Sequence, residues 1–407
     1  MRRMPFFVSF MAICMGTLCL VGCGASESSD ETAYFDGNEH YHPSRNYMTS
    51  EGYYFLDENN MLHFFDYASQ ETVYVCDKPE CSHVSSNEGG DGTCNAEIDA
   101  ISGITVYGGS IYYIAYGDGY NEADLRKRDT DGNNDEKVVT LEGEANFSNA
   151  AWFYRDIAIV RVSTATSKTF DAKTKESEGQ ETRLYRVDLK TGEASLLDTS
   201  SLGDIWADVF VVHKMEDGKF YYYSQEADSY YIYDTESGEV SKRDVACTAD
   251  FTQVIYGNDG DYCYAAFAGD FCYGTRINGE NTELIRMNIE TGEEEVYFSG
   301  VDSYSEFSCF STYQSIYDYA DGTYYVYNME TGELSEVRGD YVSQAGVDAV
   351  PKEISEYGVV YSVAVHRTDM YEAYDGDFEY QYMSLQSYMS GSNEYVSIYY
   401  LDQESGQ

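Results

Sequence analysis

Cys76-Asp-Lys-Pro-Glu-Cys81-Ser-His83, followed by Cys94, gathers three thiols and an imidazole into one short stretch. The spacing Cys-x4-Cys-x-His-x10-Cys argues against two redox chemistries. Covalent haem attachment wants Cys-x-x-Cys-His, and a thioredoxin-like dithiol wants Cys-x-x-Cys. Four soft donors on one loop suit zinc, and a closed Cys3His set is a structural site with no vacant position. Lys78-Pro79 would tighten the turn between the first two cysteines. Two other readings stay open. An oxidising compartment favours a disulfide, which would leave one of the three cysteines over, and three free thiols would need neither partner nor metal.

Other chemistry-bearing residues are weaker signals. Asp129-x-Asp131-Gly132-Asn133-x-Asp135 is oxygen-rich like a calcium loop, but it lacks the glutamate at the twelfth position. As an ordinary hairpin turn it needs no ion. The nucleophile elbow Gly-x-Ser-x-Gly, a phosphate-binding glycine loop and His-Glu-x-x-His are all absent, as is the sialidase Asp-box. His40, His42, His63, His213 and His366 stand apart from one another and read as surface or strand histidines. Carboxylate pairs could serve a glycosidase, but among 72 acidic residues no single pair is informative. Cys247, Cys263, Cys272 and Cys309 read as buried, reduced strand cysteines. Cys263 and Cys272 flank Ala268-Gly269 and could face each other across a hairpin.

What positions these residues begins with the address. Met1-Arg2-Arg3 precedes an apolar run from Met4 to Val21 that is too short for a comfortable spanning helix. A basic start, an apolar middle and a small residue before a cut form an export signal. Leu20-Val21-Gly22-Cys23 resembles the lipobox of bacterial lipoproteins, a family in which the cysteine is diacylated and becomes the first mature residue. Residues 1–22 are therefore the expected signal peptide and 23–44 a lipidated, acidic tether. The expected location is the extracytoplasmic face of the cell membrane. Removing Arg2 and Arg3 leaves 23 basic against 72 acidic residues and moves the net charge from −47 to −49. Such a chain repels nucleic acid and anionic headgroups. Aromatic residues at 16% supply a core that disordered acidic chains lack.

Residues 45–407 carry a repeat. The turn Asp/Asn-x-x-Ser/Thr-Gly-Glu returns at Asp188–Glu193, Asp234–Glu239, Asn288–Glu293 and Asn328–Glu333, and less completely at Asp402–Gln407. Apolar alternation flanks each turn, as in a hairpin in which glycine takes the left-handed position. A second turn lies upstream in each unit, as in Tyr107-Gly-Gly-Ser110 and Glu216-Asp-Gly-Lys219. Two hairpins per unit of about fifty residues make a four-stranded propeller blade. Seven blades are expected, with six or eight as alternatives, starting near Asn46, Gly103, Phe147, Asp208, Ala249, Phe307 and Val350. No amphipathic helix is expected. The seventh blade should stop after three strands, with Thr32–Phe35 closing the ring.

Two stretches carry a family resemblance. Leu125-Arg-Lys-Arg-Asp-Thr-Asp-Gly-Asn-Asn134, followed by Lys137–Leu141, resembles the repeat of TolB-type and YWTD-type propellers. The block from Cys76 to Ala96 resembles that of acidic propeller lipoproteins from anaerobic Gram-positive gut bacteria, a family of no established activity. If each blade runs from inner to outer strand, the Gly-Glu turns share one face. The other should gather the long insertions: the cysteine block, Ser163–Gln180, Gly269–Glu280 and Asp369–Glu394. Long loops on a rigid scaffold are where binding is usually found. The expected function is thus a monomeric, membrane-anchored binding or scaffold module for a glycan, peptide or envelope protein. The alternative is an extracellular glycan hydrolase or lyase with a carboxylate and tyrosine site at the channel.

The lipobox generates a direct test. Cys23→Ala should release the protein from the membrane fraction of its host without unfolding it, and equal membrane retention of the variant would sink the lipoprotein reading.

Overall fold

The structure, a computed structural model, describes residues 45–100, 103–119, 121–145, 149–165, 180–199, 212–216, 218–224, 229–243, 266–268, 270–278, 281–288, 290–302, 306–310, 312–318, 323–337, 350–364, 378–392 and 394–401. Their strands form seven four-stranded antiparallel sheets, each built from four strands consecutive in sequence. This is a seven-bladed β-propeller, as the repeat predicts. The blades occupy 46–74, 104–142, 150–196, 212–243, 266–302, 306–336 and 350–401. Among the described residues no helix is long and apolar enough to cross a membrane. Residues 1–44, with Cys23 and Thr32–Phe35, lie outside the described residues.

The recurring turn closes the third and fourth strands of blades 3 to 6 by one device. Asp188 accepts from the backbone amides of Lys190 and Thr191, both at 2.9 Å. Asn328 does the same for Glu330 and Thr331. The chain then reverses through a left-handed glycine, Gly192 at φ 70° and Gly332 at φ 74°, which other residues adopt only with strain. The amide of Thr191 is the main reason that the Asp188 carboxyl lies below its usual range, and Asp234 is held down likewise by Ser237.

Apolar side chains on both faces of a blade pack against the two neighbouring blades. Tyr112, Ile114 and Leu125 of blade 2 meet Phe153, Val160 and Val187 of blade 3. Trp152 and Ile159 of blade 3 meet Phe220, Tyr222 and Tyr233 of blade 4. Clusters of this kind also join blades 1 and 2, 5 and 6, 6 and 7, and 7 and 1. Many of the 43 tyrosines serve here, because a ring fills the seam while its hydroxyl reaches a polar edge.

Three expectations need correction. The seventh blade is complete: Val396–Leu401 pairs with Phe378–Met383 as a fourth strand. The expected loop 369–394 in fact contains that third strand and a short helix α1, Leu385–Ser390, capped by Ser384 and Gly391. This helix stands where other blades carry the glycine turn, so the turn signal is missing from the sequence there. The last strand itself closes the ring, with Thr72 Oγ1 donating to the Ile398 carbonyl at 2.8 Å.

Second, 271–278 is not an insertion. Phe271–Asn278 is the second strand of blade 5, paired on both sides. The described part of the first strand of this blade is Ala266–Ala268, and Ala249, the expected start, lies outside the described residues. Third, Cys272 faces Phe267 and Met287 across its ladders, not Cys263. It is fully buried, as expected of a strand cysteine. Cys309 lies on the strand Glu306–Phe310, while Cys247, Cys263, His40, His42, His366 and 166–179 lie outside the described residues.

Ile398 sits in the closing seam with Met48, Phe65, Val360 and Tyr382. Ile398→Ala should cost about 2–5 kcal/mol of stability, as large-to-small changes in packed cores do, measured by denaturant unfolding. An unchanged midpoint would mean that the last strand does not bridge blades 7 and 1.

Candidate metal centre

The connection between blades 1 and 2 leaves the strand Glu71–Tyr74 and makes a compact loop across their seam. Val75 N donates to the Leu62 carbonyl at 2.9 Å, and Cys81 N to the Lys78 carbonyl at 3.2 Å, closing the Lys78-Pro79 turn. His83 adopts a left-handed backbone at φ 52° that turns the chain back. Ser85 then caps a one-turn 3-10 helix, Ser86–Glu88. Gly90 is required because a Cβ there would lie 2.1 Å from the Val84 carbonyl oxygen. The returning segment pairs with the second-to-third turn of blade 1: Leu62 N donates to Ala96 O at 2.7 Å, and Ile98 N to Asn60 O at 3.0 Å. Glu97 clasps the loop by accepting from Ser86 N at 2.9 Å.

This path brings all four expected ligands together. One ligand atom each from Cys76, Cys81, His83 and Cys94 lies within 4.8 Å of the others. Bonds of about 2.3 Å would put tetrahedral thiolates about 3.8 Å apart, so the group needs only a small contraction to close on an ion. His83 turns Nδ1 toward the cluster, 3.6 Å from Cys94 Sγ. Its ring stacks on Tyr74 at 4.9 Å between centroids. Cys94 is buried, and Cys76, Cys81 and His83 are half-buried. None of the three cysteines is in a disulfide. The group could hold a metal ion.

The protonation pattern fits that use. Burial pushes the Cys94 thiol up to about 12, helped by the neighbouring Cys81 and Cys76. Burial acts on Cys76 too, but hydrogen bonds from the Lys78 and Asn95 amides and from the other two thiols outweigh it and bring its pKa below the ordinary value. Without a cation, three adjacent thiolates would repel one another. A divalent ion reverses that and deprotonates coordinating thiols outright.

The other anticipated site residues are dispersed. Asp129 Oδ2 accepts from Asn134 at 2.7 Å, and Asp131 Oδ1 from the Asn133 amide at 2.9 Å. Asn133 bridges Asn95 and Asp77, both at 2.8 Å. Asp135 accepts from Tyr113 at 2.7 Å and from Arg126 and Arg128, both at 3.1 Å. The acidic stretch is thus a hairpin turn whose members serve different partners. Gly132 packs so closely that a Cβ would lie 2.2 Å from the Val75 carbonyl oxygen. The cysteine loop therefore leans on the third-to-fourth turn of blade 2 and spans the seam rather than standing on one face.

Two features escaped the sequence. His63 is buried and paired, with Nε2 2.9 Å from Asp57 Oδ2, and Asp57 Oδ1 fastens the next turn through Asn59 N and Met61 N. The second is a cavity of about 440 Å3 between the cysteine loop and blade 2, with Cys94, Glu97, Tyr113, Arg126, Arg128 and Asp135 in its wall. Burial opposes ionisation of Asp135, but hydrogen bonds from Tyr113 and Arg126 and the charge of Arg128 win, and its carboxyl stays below the usual range. The available signal was Arg126-Lys127-Arg128, three cations together in a chain with only 25.

No protein-family model matches the chain, and no curated protein matches its sequence. Solved structures resemble it in outline. An oligogalacturonate lyase in complex with manganese is 14% identical, with a TM-score of 0.42 over 75% of this chain and 80% of that one. The uncharacterised protein lmo1340 from Listeria monocytogenes EGD-e is 8% identical, with a TM-score of 0.41 over 74% and 83%. AztD from Citrobacter koseri is 10% identical, with a TM-score of 0.40 over 87% and 86%. Likeness at this level carries neither activity nor ligand across.

The purified protein should contain about one metal ion per chain, and Cys94→Ser should remove it. A chelator should raise amide exchange across 75–97 while the blades stay protected, and uptake should weaken as pH falls and the ligands protonate. A metal-free protein with a mass about 2 Da below the reduced value would identify a disulfide instead.

Proposed function

We propose that this chain is a lipid-anchored, extracytoplasmic β-propeller that acts as a binding module for a glycan, peptide or envelope protein. A structural Zn2+ at Cys76, Cys81, His83 and Cys94 would hold one wall of its binding region. The observation that carries the reading is the convergence of four protein donors on one point. A site whose four positions are filled by protein has none left for water or substrate, so such an ion shapes a loop rather than performing a chemical step. Three thiolates and an imidazole favour zinc over magnesium, calcium or manganese.

Cys94 and Glu97 belong to the same loop and line the adjoining cavity, which links the metal to a recognition surface. The described histidine–carboxylate pair, His63 with Asp57, lies among the rings of Phe55, Tyr74 and Tyr399 and fastens a turn. That role favours binding over the hydrolase or lyase alternative. Leu20-Val21-Gly22-Cys23 supports the anchor, and the charge of −47 supports partners other than nucleic acid.

Capture from a solubilised cell envelope with the full chain, followed by a glycan array, tests the reading. The wild-type chain should retain a defined partner, and Cys94→Ser should lose it while remaining folded. Release of new reducing ends or unsaturated products from a captured glycan would bring the hydrolase or lyase forward.

A further inference from the structure

We propose that the cavity between the cysteine loop and blade 2 is a saccharide site, and that it takes an uncharged oligosaccharide. This rests on the binding-module reading and adds to it a place and a ligand class. The cavity, at about 440 Å3, lies within the range of small-molecule sites. Such sites are mostly apolar when they work by burying ligand surface. Here the wall is largely carboxylate, amide and guanidinium, so a ligand must replace hydrogen bonds to water with others, which requires a polyhydroxylated molecule.

Charge narrows the class. Glu97, Asp99 and Asp135 share the cavity wall with Arg126 and Arg128, which leaves a small excess of negative charge. Asp135 is already engaged by both guanidiniums at 3.1 Å. An anionic ligand would meet that excess and the field of a chain at −47. A cationic ligand would be drawn by that excess but could accept nothing from the two guanidiniums, whereas hydroxyls donate to carboxylates and accept from guanidiniums alike. A neutral ligand pays neither cost.

Shape narrows it further. The strands Ser110–Tyr116 and Glu122–Asp129 place Tyr113 directly opposite Arg126, so ring and cations share one face of blade 2. The Arg128 guanidinium lies 5.3 Å from the Tyr113 ring centroid and donates to the Tyr113 hydroxyl at 3.0 Å, giving a preorganised back wall. Tyr116, also in the wall, is 60% exposed and offers an aromatic ring beside the polar groups. A pyranose has the matching form, with hydroxyls around its edge and C–H bonds on its faces.

The test uses the full chain in detergent and an array of neutral hexose, pentose and N-acetylhexosamine oligosaccharides with their uronic-acid counterparts. A neutral oligosaccharide should bind, and its uronic-acid counterpart should bind at least about tenfold more weakly. Tyr116→Ala should weaken binding roughly 3- to 10-fold and Asp99→Ala about tenfold or more, both with unchanged melting temperatures. Undiminished binding by both variants would overturn the placement, and tighter binding of uronic acids would overturn the ligand class. Capture of a peptide or envelope protein with no neutral saccharide bound would overturn this inference while leaving the binding-module reading in place.

Discussion

Blades 1, 2, 3, 6 and 7 of this protein each bury apolar side chains on both faces, and such a sheet is stable only between two neighbours. Val160 and Tyr185 of blade 3 look toward blade 2, while Ile159 and Leu184, one step along the same strands, look toward blade 4. Alternation puts successive side chains on opposite faces, so each strand feeds two seams at once. A ring satisfies this requirement because no blade is terminal. The last strand of the chain bears on that condition: Ile398 buries its side chain among Met48, Tyr53 and Phe55 of the first blade, while its carbonyl accepts from Thr72.

The seam between blades 1 and 2 shows what happens where apolar surface runs out. Its inner part is filled by Tyr54, Leu62, Ile104, Ile111 and Tyr113. Val75, Ile98 and Ala100 anchor the two ends of the connecting loop in that cluster, but its middle brings only Cys94 and Ala96 against Met61 of blade 1, with Cys76 and Cys81 beside them. That is too little to fix the loop by hydrophobic burial. A metal cross-link through the four donors would supply the missing order without requiring a second core, and the clasp of Glu97 on Ser86 adds a polar tie. The blades keep their own seams throughout, so order in this loop and order in the ring are separable.

The parts of this arrangement that were legible in sequence are the local ones. Asp188 and Gly192 reveal a hairpin because one turn contains its whole cause: an acceptor for two amides and a residue that tolerates φ 70°. Cys76, Cys81, His83 and Cys94 were readable as a set for the same reason, since a single loop carries all four. Blade 7 was misread where helix α1 replaces the glycine turn. Blade 5 was misread because the strand Phe271–Asn278, which contains Gly274 and ends in Arg-Ile-Asn, has no clean polar alternation. The His63–Asp57 pair and the Tyr113–Asp135–Arg128 network depend on side chains meeting across a turn or a ladder. No spacing rule announces them.

The acidity of the chain and the position of its cations are two sides of one constraint. Carboxylates such as Asp188 and Asp234 are cheap at the turns, because backbone amides hold them ionised in water, and the turns of separate blades can lie beyond a screening length of about 8 Å from one another. A carboxylate in a seam has no such relief and needs a cation. Asp135 meets that need with Arg126 and Arg128, and Asp124 is approached by Lys137 at 3.3 Å. Arg126, Arg128 and Lys137 of blade 2 therefore neutralise the polar side of the seam, which is why a cleft inside so acidic a protein is close to balanced. Any ligand that the proposed site takes would be selected in a nearly neutral, hydrogen-bonding cleft by shape and hydroxyl pattern rather than by net charge, the opposite of what the composition of the whole chain suggests.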